Sequence, residues 1–195
     1  MTRQPADDRE ATAVRLDITT AARMDAIGRA LGRLLRAGDL VLLTGDLGAG
    51  KTTLTQGIGD GLGVRGPITS PTFVIARVHP SLVGGPALVH VDAYRLGGWD
   101  ELEDLDLETT LDAGVTVVEW GEGVAEGLAD DRLEIAIVRS HGSAAEVDGQ
   151  TGAADDDPRT MEVTAIGRRW HGTDLAAALS AGRRDGRRRR PLTAR

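Results

Sequence analysis

The chain has 195 residues, a formal net charge of −7 and no cysteine, which excludes disulfides, thiolate metal sites and cysteine nucleophiles. No apolar run approaches the roughly 20 residues that a membrane-spanning helix needs, and the acidic first residues lack the apolar core of a signal peptide. The composition therefore predicts a cytoplasmic protein, and its acidic body argues against a broad nucleic-acid-binding face.

The first third of the chain alternates strand and helix patterns. The predicted elements are, in order, a disordered leader over residues 1–12, a strand over 13–18, a helix over 19–35, a strand over 40–43 and a helix from residue 51 to about 62. Thr19 or Thr20 is the expected N-cap of the first helix. The apolar run at 40–43 lies between glycines, which is typical of a buried parallel strand.

The remaining segments continue the alternation. They are, in order, a loop with Pro67 and Pro71, strands over 73–78 and 87–92, an acidic helical stretch over 99–114 with Leu102, Leu105 and Leu111 facing inward, a strand ending at Glu119, two paired strands over 131–139 and 160–167, and a terminal helix over 172–182. A Gly-, Ala- and Asp-rich loop over 140–158 is expected to be disordered, because it has too few apolar residues to offset its ordering entropy. This order predicts one α/β domain over residues 13–182.

A glycine-rich segment carries the strongest functional signal. Gly45-Asp46-Leu47-Gly48-Ala49-Gly50-Lys51-Thr52 fits the pattern G-x-x-x-x-G-K-[ST] between a predicted strand and a predicted helix. In such a loop, backbone N–H groups and the helix N-terminus bind phosphate, the lysine reaches the β- and γ-phosphates, and the hydroxyl binds Mg²⁺. Lys51 is the only lysine of the chain, which otherwise uses arginine for every basic side chain.

Two acids follow predicted strands and are candidates for magnesium and water. Asp92 and Glu119 lie at strand ends, where open α/β sheets bind ligands. Either acid could bind Mg²⁺ or orient an attacking water, and the alternative is a capping carboxylate or a pair with Arg95. The candidate catalytic residues are Lys51, Asp92 and Glu119, and the candidate metal ligands are Thr52, Glu119 and Asp92.

Further residues complete the predicted nucleotide site. In the segment 69–73, Ser70 and Thr72 offer hydroxyls where a γ-phosphate-sensing loop is expected, although a plain β-turn remains the alternative. The candidate nucleotide-binding residues are Gly45, Asp46, Leu47, Gly48, Ala49, Gly50, Lys51, Thr52, Thr53, Ser70, Thr72 and Trp120. Trp120 is included because it adjoins Glu119. The other tryptophans, Trp99 and Trp170, are expected to pack. The histidines show no metal-binding spacing and are interpreted as structural or solvated.

The motifs together resemble one family. "GDLGAGKTT", "SPTF", "HVDAYRL", "ELEDLDLETTLDAG" and "VEW" occur in this order, and over residues 16 to 179 the chain is similar to the TsaE (YjeE) family of bacterial P-loop ATPases. The resemblance implies a P-loop NTPase-like three-layer sandwich with a mixed, mostly parallel central sheet. It implies ATP and Mg²⁺ as cofactors, with Thr52 and Glu119 on the metal and Asp92 as the acid needed for hydrolysis.

The resemblance also implies a pathway and partners. TsaE proteins support the formation of threonylcarbamoyladenosine at tRNA position 37 through the TsaB–TsaD complex, which itself transfers the group. Contact with tRNA would then be indirect. The arginine-rich tail over 183–195 could touch RNA, but a disordered solvated tail is favoured.

Other classes of P-loop protein fit less well. Guanine-reading GTPases use an Asn-Lys-x-Asp segment, whereas this chain has no asparagine. A small-molecule kinase is the main alternative, but such an enzyme needs arginines to clamp the transferring phosphate. No basic residue occurs between Arg95 and Arg132, and the acidic stretch over 99–114 within this interval carries seven carboxylates. A module that binds nucleotide without turnover stays open, and the two strand-end acids count only moderately against it.

Overall fold

The computed structural model describes residues 11–105, 107–139 and 158–181. Three predicted segments lie wholly or partly outside these residues. They are residues 1–10 of the leader, residues 140–157 of the acidic loop and the arginine-rich tail over 183–195. Residues 11 and 12 belong to the first strand, which therefore begins two residues earlier than predicted, because both pair with the strand over Arg159–Ile166.

Seven strands form one mixed sheet. They are β1 (Ala11–Ile18), β2 (Leu40–Thr44), β3 (Ala76–His79), β4 (Ala87–Asp92), β5 (Gly114–Glu119), β6 (Arg132–Arg139) and β7 (Arg159–Ile166), in the spatial order β1-β7-β6-β2-β5-β4-β3. The central strands β6, β2, β5 and β4 pair in parallel, whereas β7 and β1 on one side and β3 on the other pair antiparallel. The parallel centre brings the carboxyl ends of β2, β4, β5 and β6 to one edge.

Helices cover both faces of the sheet. They are α1 (Ala21–Leu34), α2 (Lys51–Leu62), α3 (Trp99–Glu103), α4 (Glu108–Leu111) and α5 (Leu175–Ala181). On one face α1, α2 and α5 bury a large aliphatic core that includes Met24, Leu54 and Leu179. On the other face a smaller cluster forms around Leu42 and Leu102. The predicted α/β fold with helices on both sides of a mixed sheet is confirmed.

Glycines let α1 and α2 approach backbone to backbone. A Cβ atom added at Gly28 would lie 2.5 Å from the carbonyl oxygen of Leu54, and one added at Gly32 would lie 2.9 Å from the Cα of Gly61. Thr20 caps α1, as predicted, by accepting a hydrogen bond from the backbone N–H of Arg23. The close contact between α1 and α2 positions α2, and it thereby positions the loop that precedes α2.

Two predicted elements are wrong in part. The strand expected over 73–78 begins only at Ala76, because the carbonyl of Pro71 accepts from the N–H groups of Val74 and Ile75 in a turn. Phe73 is consequently 84% exposed. The acidic stretch over 99–114 is not one helix, since a turn separates α3 from α4.

The burial of the leucines in the acidic stretch was predicted better than its secondary structure. Leu102 and Leu111 are buried and Leu105 is partly buried, as expected. Leu107, which was not predicted to face inward, is buried as well. Within the described part of the chain, no helix is long and apolar enough to cross a membrane.

Candidate nucleotide-binding site

The glycine-rich loop, defined here as Gly45–Thr52, connects the carboxyl end of β2 to the first turn of α2. The backbone takes positive φ angles at Gly45 (135°), Gly48 (76°) and Gly50 (110°), a region that side chains disfavour. Ala49 is fully buried against the core and anchors the loop from below. The loop therefore curls over the N-terminus of α2, where backbone N–H groups and the helix dipole favour an anion.

Lys51 is buried at the centre of this loop. Its Nζ donates hydrogen bonds to the carbonyl oxygens of Gly45 at 2.6 Å and Asp46 at 3.0 Å, and lies 3.7 Å from the centroid of the Trp120 ring. Burial lowers the pKa of Lys51 below its ordinary value, while the nearby carboxylates of Glu119, Asp92 and Asp46 act in the opposite direction. The Asp46 side chain is exposed, so Asp46 contributes to the lysine site chiefly through its carbonyl.

Thr52 and Glu119 meet across the edge of the sheet. The Thr52 hydroxyl lies 3.0 Å from Oε1 and 3.3 Å from Oε2 of Glu119. Glu119 ends β5 and is 2% exposed. On β4, the Nε2 atom of His90 lies 2.8 Å from the same Oε1. Because a carboxylate can only accept, Nε2 is the donor in that bond.

Asp92, at the end of β4, binds the loop that carries Ser70 and Thr72. Its Oδ2 accepts hydrogen bonds from the Ser70 hydroxyl at 2.9 Å and from the Thr72 hydroxyl, and its Oδ1 accepts from the backbone N–H of Tyr94 at 3.0 Å. The two hydroxyls lie 2.7 Å apart. The segment 69–73 is thus tied to a buried strand-end acid in this structure.

A single cavity of about 340 Å³ unites most of the predicted residues. Its lining is Leu47, Gly48, Gly50, Lys51, Thr52, Thr53, Ser70, Thr72, Asp92, Glu119 and Trp120. Of the residues predicted to bind nucleotide, Gly45, Asp46 and Ala49 do not line it, but Gly45 and Asp46 hold Lys51 through their carbonyls. The arrangement offers an anion cradle on one side and oxygen ligands on the other.

The donor set suits magnesium bound together with other ligands. Hydroxyl and carboxylate oxygens are the ligands that Mg²⁺ prefers, and Thr52, Glu119 and Asp92 supply only oxygens toward the cavity. Among the described residues, no group of three or more His, Cys, Asp or Glu side chains could hold a metal on its own. A magnesium ion here would therefore keep waters and phosphate oxygens in its shell.

Three residues of the site were missed from the sequence. His90 was interpreted as structural or solvated, yet it is fully buried and bonds to Glu119. Arg139, at the end of β6, donates from Nη2 to the carbonyl oxygen of Gly48 at 2.8 Å. Tyr94 contacts Trp120, with ring centroids 5.2 Å apart. The available signals were the two-residue spacing of His90 from Asp92 and the position of Arg139 at a strand end.

The remaining histidines and tryptophans divide between core and surface. His79 is buried and His171 is exposed, as the absence of metal spacing suggested, while His141 lies outside the described residues. Trp170 is buried, in agreement with a packing role. Trp99 is 37% exposed, so its packing is only partial.

Comparison with known proteins identifies the family. The family model described as threonylcarbamoyl adenosine biosynthesis protein TsaE matches residues 18–147. A Streptomyces coelicolor protein named tRNA threonylcarbamoyladenosine biosynthesis protein TsaE is 59% identical over 154 residues, which cover 78% of this chain and 97% of that protein. A Bacillus subtilis protein of the same name is 38% identical over 146 residues, covering 74% of this chain and 81% of that protein.

A solved structure supports the same assignment at the level of the fold. The crystal structure of Bacillus subtilis YdiB superposes with a TM-score of 0.63 at 31% sequence identity, covering 88% of this chain and 97% of that one. The resemblance of the sequence motifs, the family match and this superposition agree. The chain belongs to the TsaE family.

Proposed function

We propose that this protein is a magnesium-dependent ATPase that serves as an accessory subunit in tRNA N6-threonylcarbamoyladenosine formation at position 37. It would act in the cytoplasm on a TsaB–TsaD complex, which would itself transfer the group to tRNA. The pathway is suggested by the names of the related proteins. The observation that best supports an ATPase activity is that one cavity is lined by Lys51, Thr52, Asp92 and Glu119.

The glycine-rich loop would bind the phosphates of ATP. Its N–H groups and the N-terminus of α2 supply partial positive charge, and Lys51 supplies a full charge from a buried position. The Lys51 ammonium is satisfied here by two loop carbonyls. These neutral acceptors would be exchanged for charged phosphate oxygens, which form stronger hydrogen bonds with an ammonium.

Thr52 and Glu119 would hold the metal, and Asp92 would orient the attacking water. Bound magnesium supplies positive charge that offsets the charge developing on the phosphates. The Asp92 carboxylate is buried at the rim of the same cavity and already accepts hydrogen bonds from hydroxyls. An acceptor in this position is suited to take a hydrogen bond from a water directed at the γ-phosphate.

Adenine is favoured over guanine, and hydrolysis over phosphate transfer. The chain has no asparagine for an Asn-Lys-x-Asp segment. The stretch after Asp92 carries exposed acids such as Asp100 and Glu101, which would repel a phosphorylated acceptor. A small-molecule kinase remains the alternative.

Exposed apolar side chains beside the cavity support a partner-dependent cycle. Leu47, Phe73 and Tyr94 are 86%, 84% and 64% exposed, and all three belong to the segments that form or adjoin the cavity. Large apolar groups exposed together commonly mark protein-binding surfaces. A protein bound there could sense whether nucleotide is present.

The test is phosphate release from Mg-ATP with and without purified TsaB–TsaD. Slow release that depends on Glu119 and changes when the partners are added supports the proposal, and Glu119→Gln is the variant to compare. Rapid phosphate transfer to a small molecule would instead support the kinase. Release that is unchanged by the partners would refute the accessory role while leaving the ATPase intact.

A further inference from the structure

We infer that His90 sets the metal preference of this site by restraining Glu119 to ligation through one carboxylate oxygen. His90 would be a positioning residue, since it touches Glu119 and not the cavity itself. The inference rests on the proposed function, because it assumes that Glu119 is a metal ligand.

The bond between His90 and Glu119 is buried and is the only hydrogen bond that the imidazole makes within the described chain. His90 is fully buried, and its Nε2 donates to Oε1 of Glu119 at 2.8 Å. The other ring nitrogen, Nδ1, is buried without a hydrogen-bond partner among the described residues. Leaving a polar atom unsatisfied in the core costs free energy, so a histidine at this position is explained best by the one bond that it makes.

The apolar neighbours on β4 strengthen this point. Leu88, Val89 and Val91 are all buried, so the strand is built to accept aliphatic side chains. His90 is the polar side chain among them, and it is directed at Glu119 at the end of β5. The register of the two strands pairs Asp92 with Glu119 and so brings Glu119 within reach of His90. A residue needed only for packing would serve equally well as valine or leucine.

The contacts of Glu119 make its two oxygens unequal. Oε1 accepts from His90 at 2.8 Å and from Thr52 at 3.0 Å, which accounts for both of its lone pairs. Oε2 has a single, longer contact of 3.3 Å with Thr52. The second oxygen is therefore the one with capacity for a cation.

Ligation through one oxygen discriminates between the common divalent cations. Magnesium demands near-octahedral geometry at short distances and is usually held by one or two carboxylates together with waters and phosphates. Calcium takes six to eight ligands at longer distances and often uses both oxygens of a carboxylate. By occupying Oε1, His90 favours magnesium, and without its hydrogen bond the Glu119 carboxylate could rotate to present both oxygens.

The test compares two amide variants of different reach. In His90→Gln the side-chain amide can place its N–H near the position of Nε2, whereas in His90→Asn it is one methylene shorter and ends near Nδ1. Binding of a fluorescent ADP analogue is titrated with Mg²⁺ and separately with Ca²⁺, and the ratio of the two metal affinities is compared with that of the wild-type protein. Thermal melts verify that each variant folds, and His90→Leu serves as a third variant if the asparagine does not.

The expected result is a change in the ratio that depends on the donor. His90→Asn should shift the ratio toward calcium by about tenfold, the scale on which the residues behind metal ligands act, and His90→Gln should remain near the wild-type value. A role in packing alone would weaken binding with both metals equally and leave the ratio unchanged, which would overturn the inference. A wild-type protein whose nucleotide binding needs no divalent metal would overturn the proposed function and this inference with it.

Discussion

The ammonium nitrogen of Lys51 lies 3.7 Å from the centroid of the Trp120 ring and 2.6 Å from the carbonyl oxygen of Gly45. Trp120 holds this position with a φ angle of 62°, a left-handed conformation that is unusual for a bulky residue. Backbone strain of this kind is concentrated at functional sites, where the surrounding structure maintains it. The only lysine of the chain is thus enclosed on one side by an aromatic face and on the other by its own loop.

This enclosure predicts that Lys51→Arg loses nucleotide binding although it keeps the positive charge. A planar guanidinium is larger than an ammonium and cannot occupy the same space between the Trp120 ring and the loop carbonyls. We expect the dissociation constant of a fluorescent ADP analogue in the presence of Mg²⁺ to rise at least about tenfold. Arg36→Lys, an exposed exchange before β2 begins, is the control and should bind as the wild type does. Wild-type affinity in Lys51→Arg would show that the lysine is not required as such.

Asp92→Asn should separate turnover from binding. The buried carboxylate of Asp92 is the acceptor proposed to orient water, whereas the phosphate cradle is formed by other residues. We expect phosphate release to fall by about a hundredfold, the scale of positioned acid–base groups, while the affinity for the ADP analogue stays within about threefold. A variant that loses binding and turnover in equal measure would make Asp92 a binding residue instead.

Gly28→Ala should destabilise the protein through the contact between α1 and α2. The added Cβ would lie 2.5 Å from the Leu54 carbonyl oxygen and 2.8 Å from the Cα of Gly57, and both are backbone atoms that cannot move aside alone. We expect the free energy of unfolding in urea to fall by about 1–3 kcal/mol. Ala22→Ser, at an exposed position in the first turn of the same helix, is the control. An unchanged or higher free energy of unfolding in Gly28→Ala would mean that the helices separate without cost.

The sequence was sufficient where local chemistry determines the structure. Helix α2 runs from Lys51 to Leu62 as predicted, because the glycine-rich loop fixes its start and Gly63, in the left-handed conformation, fixes its end. Strand β4 also has the predicted bounds, since Pro86 precedes its mostly apolar residues and Asp92 ends them. These local signals are also the ones that place Lys51 and Thr52 at the candidate site.

The sequence was insufficient where distant segments determine the structure. The strand predicted to begin at Phe73 begins only at Ala76, because the turn at Pro71 and a φ angle of 66° at Ile75 precede it, and the Ile75 carbonyl is held by the N–H of Asp92 on the neighbouring strand. The role of His90 depends on which strand lies beside β4 and in what register, and neither follows from residue order along the chain. Periodicity along one segment carries no information about such neighbours.

His79 should make stability fall as the solution is acidified. One ring nitrogen, Nε2, is buried without a partner among the described residues. Burial lowers the pKa of His79 below its ordinary value of 6.5, while the Arg65 carbonyl oxygen, 3.0 Å from Nδ1, acts in the opposite direction. Below that pH the unfolded chain takes up a proton before the folded protein does, so the free energy of unfolding decreases until the pH passes the folded-state pKa. His79→Asn retains a donor near Nδ1 but cannot titrate. Urea unfolding at about pH 7.5 and about pH 5.5 should therefore show a smaller loss of stability in His79→Asn than in the wild type. An equal loss in both proteins would assign the pH dependence to other groups.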